Sequence, residues 1–98
     1  MSDNTSALKA LVWGALEAIA REKGKDPASL GELHFERPKQ ENHGDWATNA
    51  AMQNCRPLGC KPRDLAEDIA RRIGSDRRIR RVEVAGPGFI NFYLSNLW

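Results

Sequence analysis

Cysteine, histidine and aromatic residues are scarce in this sequence. Its 98 residues hold two cysteines and two histidines, and only 7% are aromatic. Cys55 and Cys60 are too few to staple a secreted mini-domain, and their spacing is not the paired-knuckle pattern of a zinc site. They read as reduced thiols. No apolar run approaches the roughly 18 residues of a membrane span, and the N-terminus lacks a basic-then-apolar leader. A cytoplasmic protein with no membrane partner is expected. His34 and the His43-Gly44-Asp45 cluster are what little suggests acid–base or metal chemistry, and a lone histidine near an aspartate in a polar loop is usually no more than that. No catalytic residue and no metal ligand is assigned.

What is present fits one globular unit. Hydrophobic residues make up 41% and charged residues 29%, a balance foreign to disordered chains. Residues 1–98 are read as a single domain, with a thin core that buries roughly 60–65% of the unfolded chain's surface. The net charge of +2 hides an asymmetry: Met1–Cys55 carries 6 Lys/Arg against 8 Asp/Glu, whereas Arg56–Arg81 carries 9 against 4. A face that prefers polyanions and a merely solvated helix surface both fit that pattern.

Periodicity supplies the elements. Leu8, Leu11, Val12, Leu16 and Ile19 predict an amphipathic helix from Ser6 to about Arg21, with Asn4 or Thr5 as cap and Trp13 sealing the edge of the core. Asp26-Pro27 opens a short turn. Leu33 and Phe35 alternate with polar neighbours, which predicts a strand over Glu32–Arg37 that Pro38 ends or marks as an edge. Lys39–Asp45 reads as an exposed loop. A second helix is expected over Asp45–Cys55, capped by Asp45 or Thr48 and ended or kinked by Pro57. A third runs from Pro62 to Ile73, closed by Gly74. Val82 and Val84, then Ile90, Phe92 and Leu94, alternate on either side of Gly86-Pro87-Gly88, which predicts a β-hairpin with Pro87 and Gly88 at the centre of a type II turn.

The hairpin carries the functional signal. Residues two apart in a strand share a face. With Ile90, Phe92 and Leu94 buried, Phe89, Asn91 and Tyr93 form an aromatic–amide–aromatic row on the other side. Flat rings stack on unpaired bases, and an amide can bond a base edge. A helix layer covering that face would make the same rings ordinary core. Arg71 and Arg72 close the third helix, and Arg77, Arg78, Arg80 and Arg81 precede the hairpin, offering guanidinium forks to phosphates. Together these point to RNA with exposed bases rather than duplex DNA, since no helix carries a major-groove reading pattern. A protein-interaction module docking on another protein or a scaffold, through the hairpin or through Trp13 and Trp98, is the alternative. Gly86-Pro87-Gly88 joins strand to strand and has no helix N-terminus with which to hold an anion.

Three blocks carry a family resemblance: His43-Gly44-Asp45-Trp46-Ala47-Thr48-Asn49, Lys61-Pro62-Arg63-Asp64-Leu65-Ala66, and Val82-Glu83-Val84-Ala85-Gly86-Pro87-Gly88-Phe89-Ile90-Asn91-Phe92. In combination they resemble the N-terminal additional domain of arginyl-tRNA synthetase over nearly the whole chain. The resemblance implies an α+β, two-layer sandwich, a small antiparallel sheet with helices packed on one face. It implies a tRNA-binding part of an arginine–tRNA ligase that contacts the D-loop of tRNA(Arg), with Phe89 and Asn91 holding an exposed nucleotide. The parent enzyme's catalytic domain would use ATP and magnesium. No cofactor is expected in this domain, and the class I nucleotide motifs do not occur in it, so it is not expected to charge tRNA alone. Pro57 interrupts a stretch that is usually continuous helix in the family.

Overall fold

The aliphatic stripe of the first segment builds one helix, α1 (Asn4–Glu22), which buries Leu8, Val12, Leu16 and Ile19 and leaves Trp13 half-buried at its edge. The computed structural model describes residues 4–38 and 44–95. Most of the loop expected over Lys39–Asp45, together with His43, Trp98 and the side chain of Asn4, lies outside them. After α1, Asp26 accepts a hydrogen bond from the Ala28 N–H at 2.9 Å and starts a 3-10 turn, Pro27–Ser29.

The strand expected over Glu32–Arg37 shrinks to β1 (Phe35–Glu36). Beside it runs a strand that periodicity missed, β2 (Trp46–Thr48), so the second helix, α2, spans Ala50–Leu58 instead of starting at Asp45. It runs one residue past Pro57 and is capped at Gly59, whose left-handed φ of +67° turns the chain out of the helix. Helix α3 (Pro62–Ile73) matches its expected bounds and buries Leu65, Ala66, Ile69 and Ile73. The hairpin comprises β3 (Ile79–Ala85) and β4 (Phe89–Leu94).

All strand pairs are antiparallel, in the order β1-β2-β4-β3. The helices cover one face of this sheet, where Ile90 and Phe92 are fully buried and the Phe35 and Phe92 ring centroids lie 5.6 Å apart. The two-layer α+β expectation holds. Among the described residues no helix is long and apolar enough to cross a membrane.

Two polar devices lock the layers. Asn54, fully buried on α2, accepts from the Gly31 N–H at 2.6 Å and donates to the Ala50 carbonyl at 2.9 Å, tying the chain ahead of β1 to the helix. Thr48 donates to the His34 carbonyl at 2.8 Å and accepts from the Ala50 N–H at 3.2 Å, so it does help to start α2. Asp45 does not cap that helix. Its N–H donates to the Phe92 carbonyl at 2.7 Å and its carboxylate accepts from the Leu94 N–H at 2.8 Å, extending the β2–β4 ladder.

Gly44 makes that latch possible. Its φ is +102°, and a Cβ there would lie 2.7 Å from the Phe92 carbonyl oxygen. Gly44→Ala is therefore expected to cost about 2 kcal/mol or more. Gly14 sits mid-helix in α1, where a Cβ meets nothing within 4 Å, so Gly14→Ala should stabilise by about 0.5–1 kcal/mol. Urea denaturation of the two variants checks both signs.

Candidate nucleic-acid interface

The tip of the hairpin is held from beneath. Gly88 hydrogen-bonds back to the Ala85 carbonyl at 3.3 Å, and Gly86 has φ +55°. The hydrogen-bonded turn is thus centred on Gly86 and Pro87, with a positive angle at Gly86, in a three-residue loop between Ala85 and Phe89. The turn expected around Pro87 and Gly88 is corrected by one residue. Arg63, from α3, donates to the Gly86 carbonyl at 2.8 Å. A Cβ on Gly88 would meet Pro62 at 3.1 Å and Met52 at 3.2 Å, so the turn lies directly on the two helices.

Alternation then sets the faces of β4. Ile90 and Phe92 point into the core, which places Phe89, Asn91 and Tyr93 on the helix-free side. Phe89 is 39% exposed, the one large apolar side chain among the described residues that is open to this degree. Asn91 is half-buried, opposite Ala47 of β2 on one side and Glu83 of β3 on the other. Its carboxamide makes no hydrogen bond to the described residues.

Tyr93 departs from expectation. It shares the face, yet only 7% of it is exposed, because the Arg81 guanidinium lies 4.3 Å from its ring centroid and that of Arg80 5.5 Å. Its hydroxyl donates to Glu83 Oε1 at 2.9 Å. The ring is a floor under two cations rather than an open stacking surface. A shift in the β3–β4 register between Ile79 and Arg81 brings two consecutive arginines to one ring.

The six arginines divide instead of gathering at one corner. Arg72 turns towards α1, bonding Glu22 through both terminal nitrogens and Asp68 at 2.8 Å, so its guanidinium is already committed to carboxylates. Arg71 bonds Asp68 at 2.8 Å, and Arg78 clasps Asp76 with two bonds of 3.0 Å. Arg80 and Arg81 belong to the hairpin face, where Arg81 also meets Glu83 at 3.2 Å. Arg77 makes no ion pair with the described residues.

Glu83 and Arg63 are the residues that sequence reasoning passed over. Glu83 became visible only through cross-strand register, and Arg63 only through a contact 23 positions away. Among the described residues no three His, Cys, Asp or Glu side chains converge as a metal site would require.

Comparison with known proteins agrees with this architecture. Residues 6–94 match the family model described as the arginyl tRNA synthetase N terminal domain. An arginine–tRNA ligase of Paracoccus denitrificans is 48% identical over 91 residues, which is 91% of this chain and 16% of that one. One from Ruegeria pomeroyi is 46% identical over 90 residues, 90% of this chain and 15% of that one. The chain therefore spans about one sixth of the length of the curated relatives it matches. Among solved structures, arginyl-tRNA synthetase from Plasmodium falciparum superposes with a TM-score of 0.71 at 16% identity, over 93% of this chain and 16% of that one. At that identity the likeness speaks for the fold alone.

The arginine clasps carry a pH signature. The hydrogen bond from Arg72 holds the Glu22 carboxyl below its ordinary range, and the side-chain and backbone bonds from Arg78 do the same for Asp76. A carboxyl depressed in the folded state stabilises the fold above the carboxylate range, and that contribution disappears as pH falls through the folded value. The side chain of Glu22 is 61% exposed, so its share is small. Glu22→Gln is expected to lose less stability than the parent between about pH 6 and about pH 3, measured by urea denaturation at each pH.

Proposed function

Because the chain belongs to the arginyl-tRNA synthetase N-terminal domain family, we propose that its helix-free sheet face binds an unpaired nucleotide in the D-loop of tRNA(Arg). The observation that carries this reading is the pairing of an exposed phenyl ring, Phe89, with an unspent carboxamide, Asn91, two positions along the same strand. The ring stacks on the base and the amide bonds its edge. Arg80 borders this face on its β3 side, and with Arg77 it has no ion pair among the described residues, which leaves these two cations to meet phosphates. Arg71, Arg72, Arg78 and Arg81 contribute less, since each already faces a carboxylate.

In this reading the domain supports arginylation without performing it. The ligation of arginine to tRNA, with its ATP and magnesium, belongs to a catalytic domain that is also a partner of this one. One base and a few phosphates supply a small part of the whole enzyme's contact, so the domain alone binds weakly.

A protein-docking role rests on a different observation, an apolar groove of about 450 Å³ lined by Lys9, Ala10, Trp13, Glu32 and Leu33. Salt separates the two readings. Contact with about three phosphates of a single strand lowers log affinity with log salt at a slope of about −2, whereas an apolar protein contact barely responds. Titration of the chain with tRNA(Arg) across a salt series is expected to give that slope. Phe89→Ala should weaken binding about 5-fold or more, as loss of one stacked base requires, and Asn91→Ala should weaken it by a smaller factor. Unchanged affinity in both variants, with the circular dichroism spectrum retained, sinks the D-loop reading.

A further inference from the structure

We infer that Glu83 is the specificity-determining residue of the same face, selecting a base that presents an amino group over one that presents a carbonyl; the inference rests on the RNA-binding reading above. The β3–β4 register sets Glu83 directly opposite Asn91 on the helix-free face, which puts their Cβ atoms about 5 Å apart. Two donors fix one end of its carboxylate. The Tyr93 hydroxyl reaches Oε1 at 2.9 Å and Arg81 Nη2 reaches the same atom at 3.2 Å. The other oxygen, Oε2, has no hydrogen bond with the described residues, and the side chain is 47% exposed.

This leaves an oriented acceptor beside an amide that can either donate or accept. A base stacked on Phe89 therefore offers its edge to one group of either polarity and one that only accepts. Cytosine and adenine bring an exocyclic amino group to such a site, and guanine brings N–H donors as well. Uracil brings two carbonyl oxygens around its single N–H, and their lone pairs face the carboxylate. The same negative charge keeps a phosphate away from the amide, so the ligand's backbone is left to Arg80 at the rim.

Glu83→Gln tests the assignment without dismantling the site. Arg81 N–H can only donate and Tyr93 O–H already donates at this point, so the new carboxamide turns its carbonyl towards them. Its NH2 then stands where Oε2 stood, and an acceptor has become a donor in place. Oligocytidylate and oligouridylate of equal length are the probes, because the two pyrimidines stack alike and differ along one edge, cytosine presenting an amino group beside a bare N3 and uracil an N–H flanked by two carbonyls.

NMR titration of the full chain, following the Phe89 and Asn91 amide signals, is expected to show oligocytidylate bound about tenfold more tightly than oligouridylate, the size of one mispaired polar contact. In Glu83→Gln the ratio should fall to about one or reverse, while Phe89→Ala weakens both ligands together. Equal affinity of the parent chain for the two oligomers overturns the inference, as does a ratio unchanged in Glu83→Gln, and in both cases the RNA-binding reading stands if Phe89→Ala still weakens binding. If neither oligomer binds the parent chain, the RNA-binding reading fails and takes the Glu83 assignment with it.

Discussion

Strand β4 is hydrogen-bonded along both edges, and everything that recommends its outer face follows from that constraint. On one edge β3 pairs with it from Ala85–Phe89 to Ile79–Leu94; on the other, β2 pairs through Trp46, Ala47 and Thr48, and Asp45 continues the contact with its own carboxylate. A strand held this way cannot slip by one residue, because slippage would drive Ile90 and Phe92 out of the core and turn Phe89 and Asn91 inward. The hydrophobic burial of two side chains thus fixes the exposure of two others. The arrangement of polar groups on one side of the sheet is set by apolar packing on the other.

That division explains what could be read from the chain and what could not. The hairpin alternates over enough residues to declare both its faces, so Phe89 and Asn91 were placed together from sequence alone. Helices α1 and α3 were equally legible, since their Leu, Ile and Val residues repeat over several turns. Strand β2 was not. Trp46–Thr48 is too short to show alternation, and the small residues that follow it read as an early helix start. What makes it a strand is long-range: the approach of Gly44 to the Phe92 carbonyl and the bond from Asp45 to the Leu94 N–H. The role of Asn54 was hidden for the same reason, because its partner Gly31 lies 23 residues away.

Charge was read too coarsely by counting. The excess of arginine after Arg56 is real, but Glu22, Asp68 and Asp76 take up Arg71, Arg72 and Arg78 within the fold. Pairing distributes these residues between two jobs, holding the helices and turn together and furnishing the hairpin face. Tyr93 shows the same effect in an aromatic residue. Its position in the row was legible, whereas its cover of two guanidinium groups depends on a register shift that sequence pattern does not reveal. The feature that finally distinguishes the face is a lack of partners among the described residues: an exposed phenyl ring, an amide and one carboxylate oxygen without a hydrogen bond when the surrounding groups have been matched.

The seating of the turn on the helices has a consequence for how the ring behaves. Arg63 grips the Gly86 carbonyl, and Gly88 rests against Pro62 and Met52, immediately before Phe89. A loop tip of this kind would ordinarily sample many orientations and have to surrender them when a ligand arrives. Here that disorder is already removed during folding, at the expense of the hydrophobic core and not of the encounter. Phe89 is held as a prepositioned surface, and the N-terminal turn of α3, which contributes nothing to the face itself, becomes part of its support.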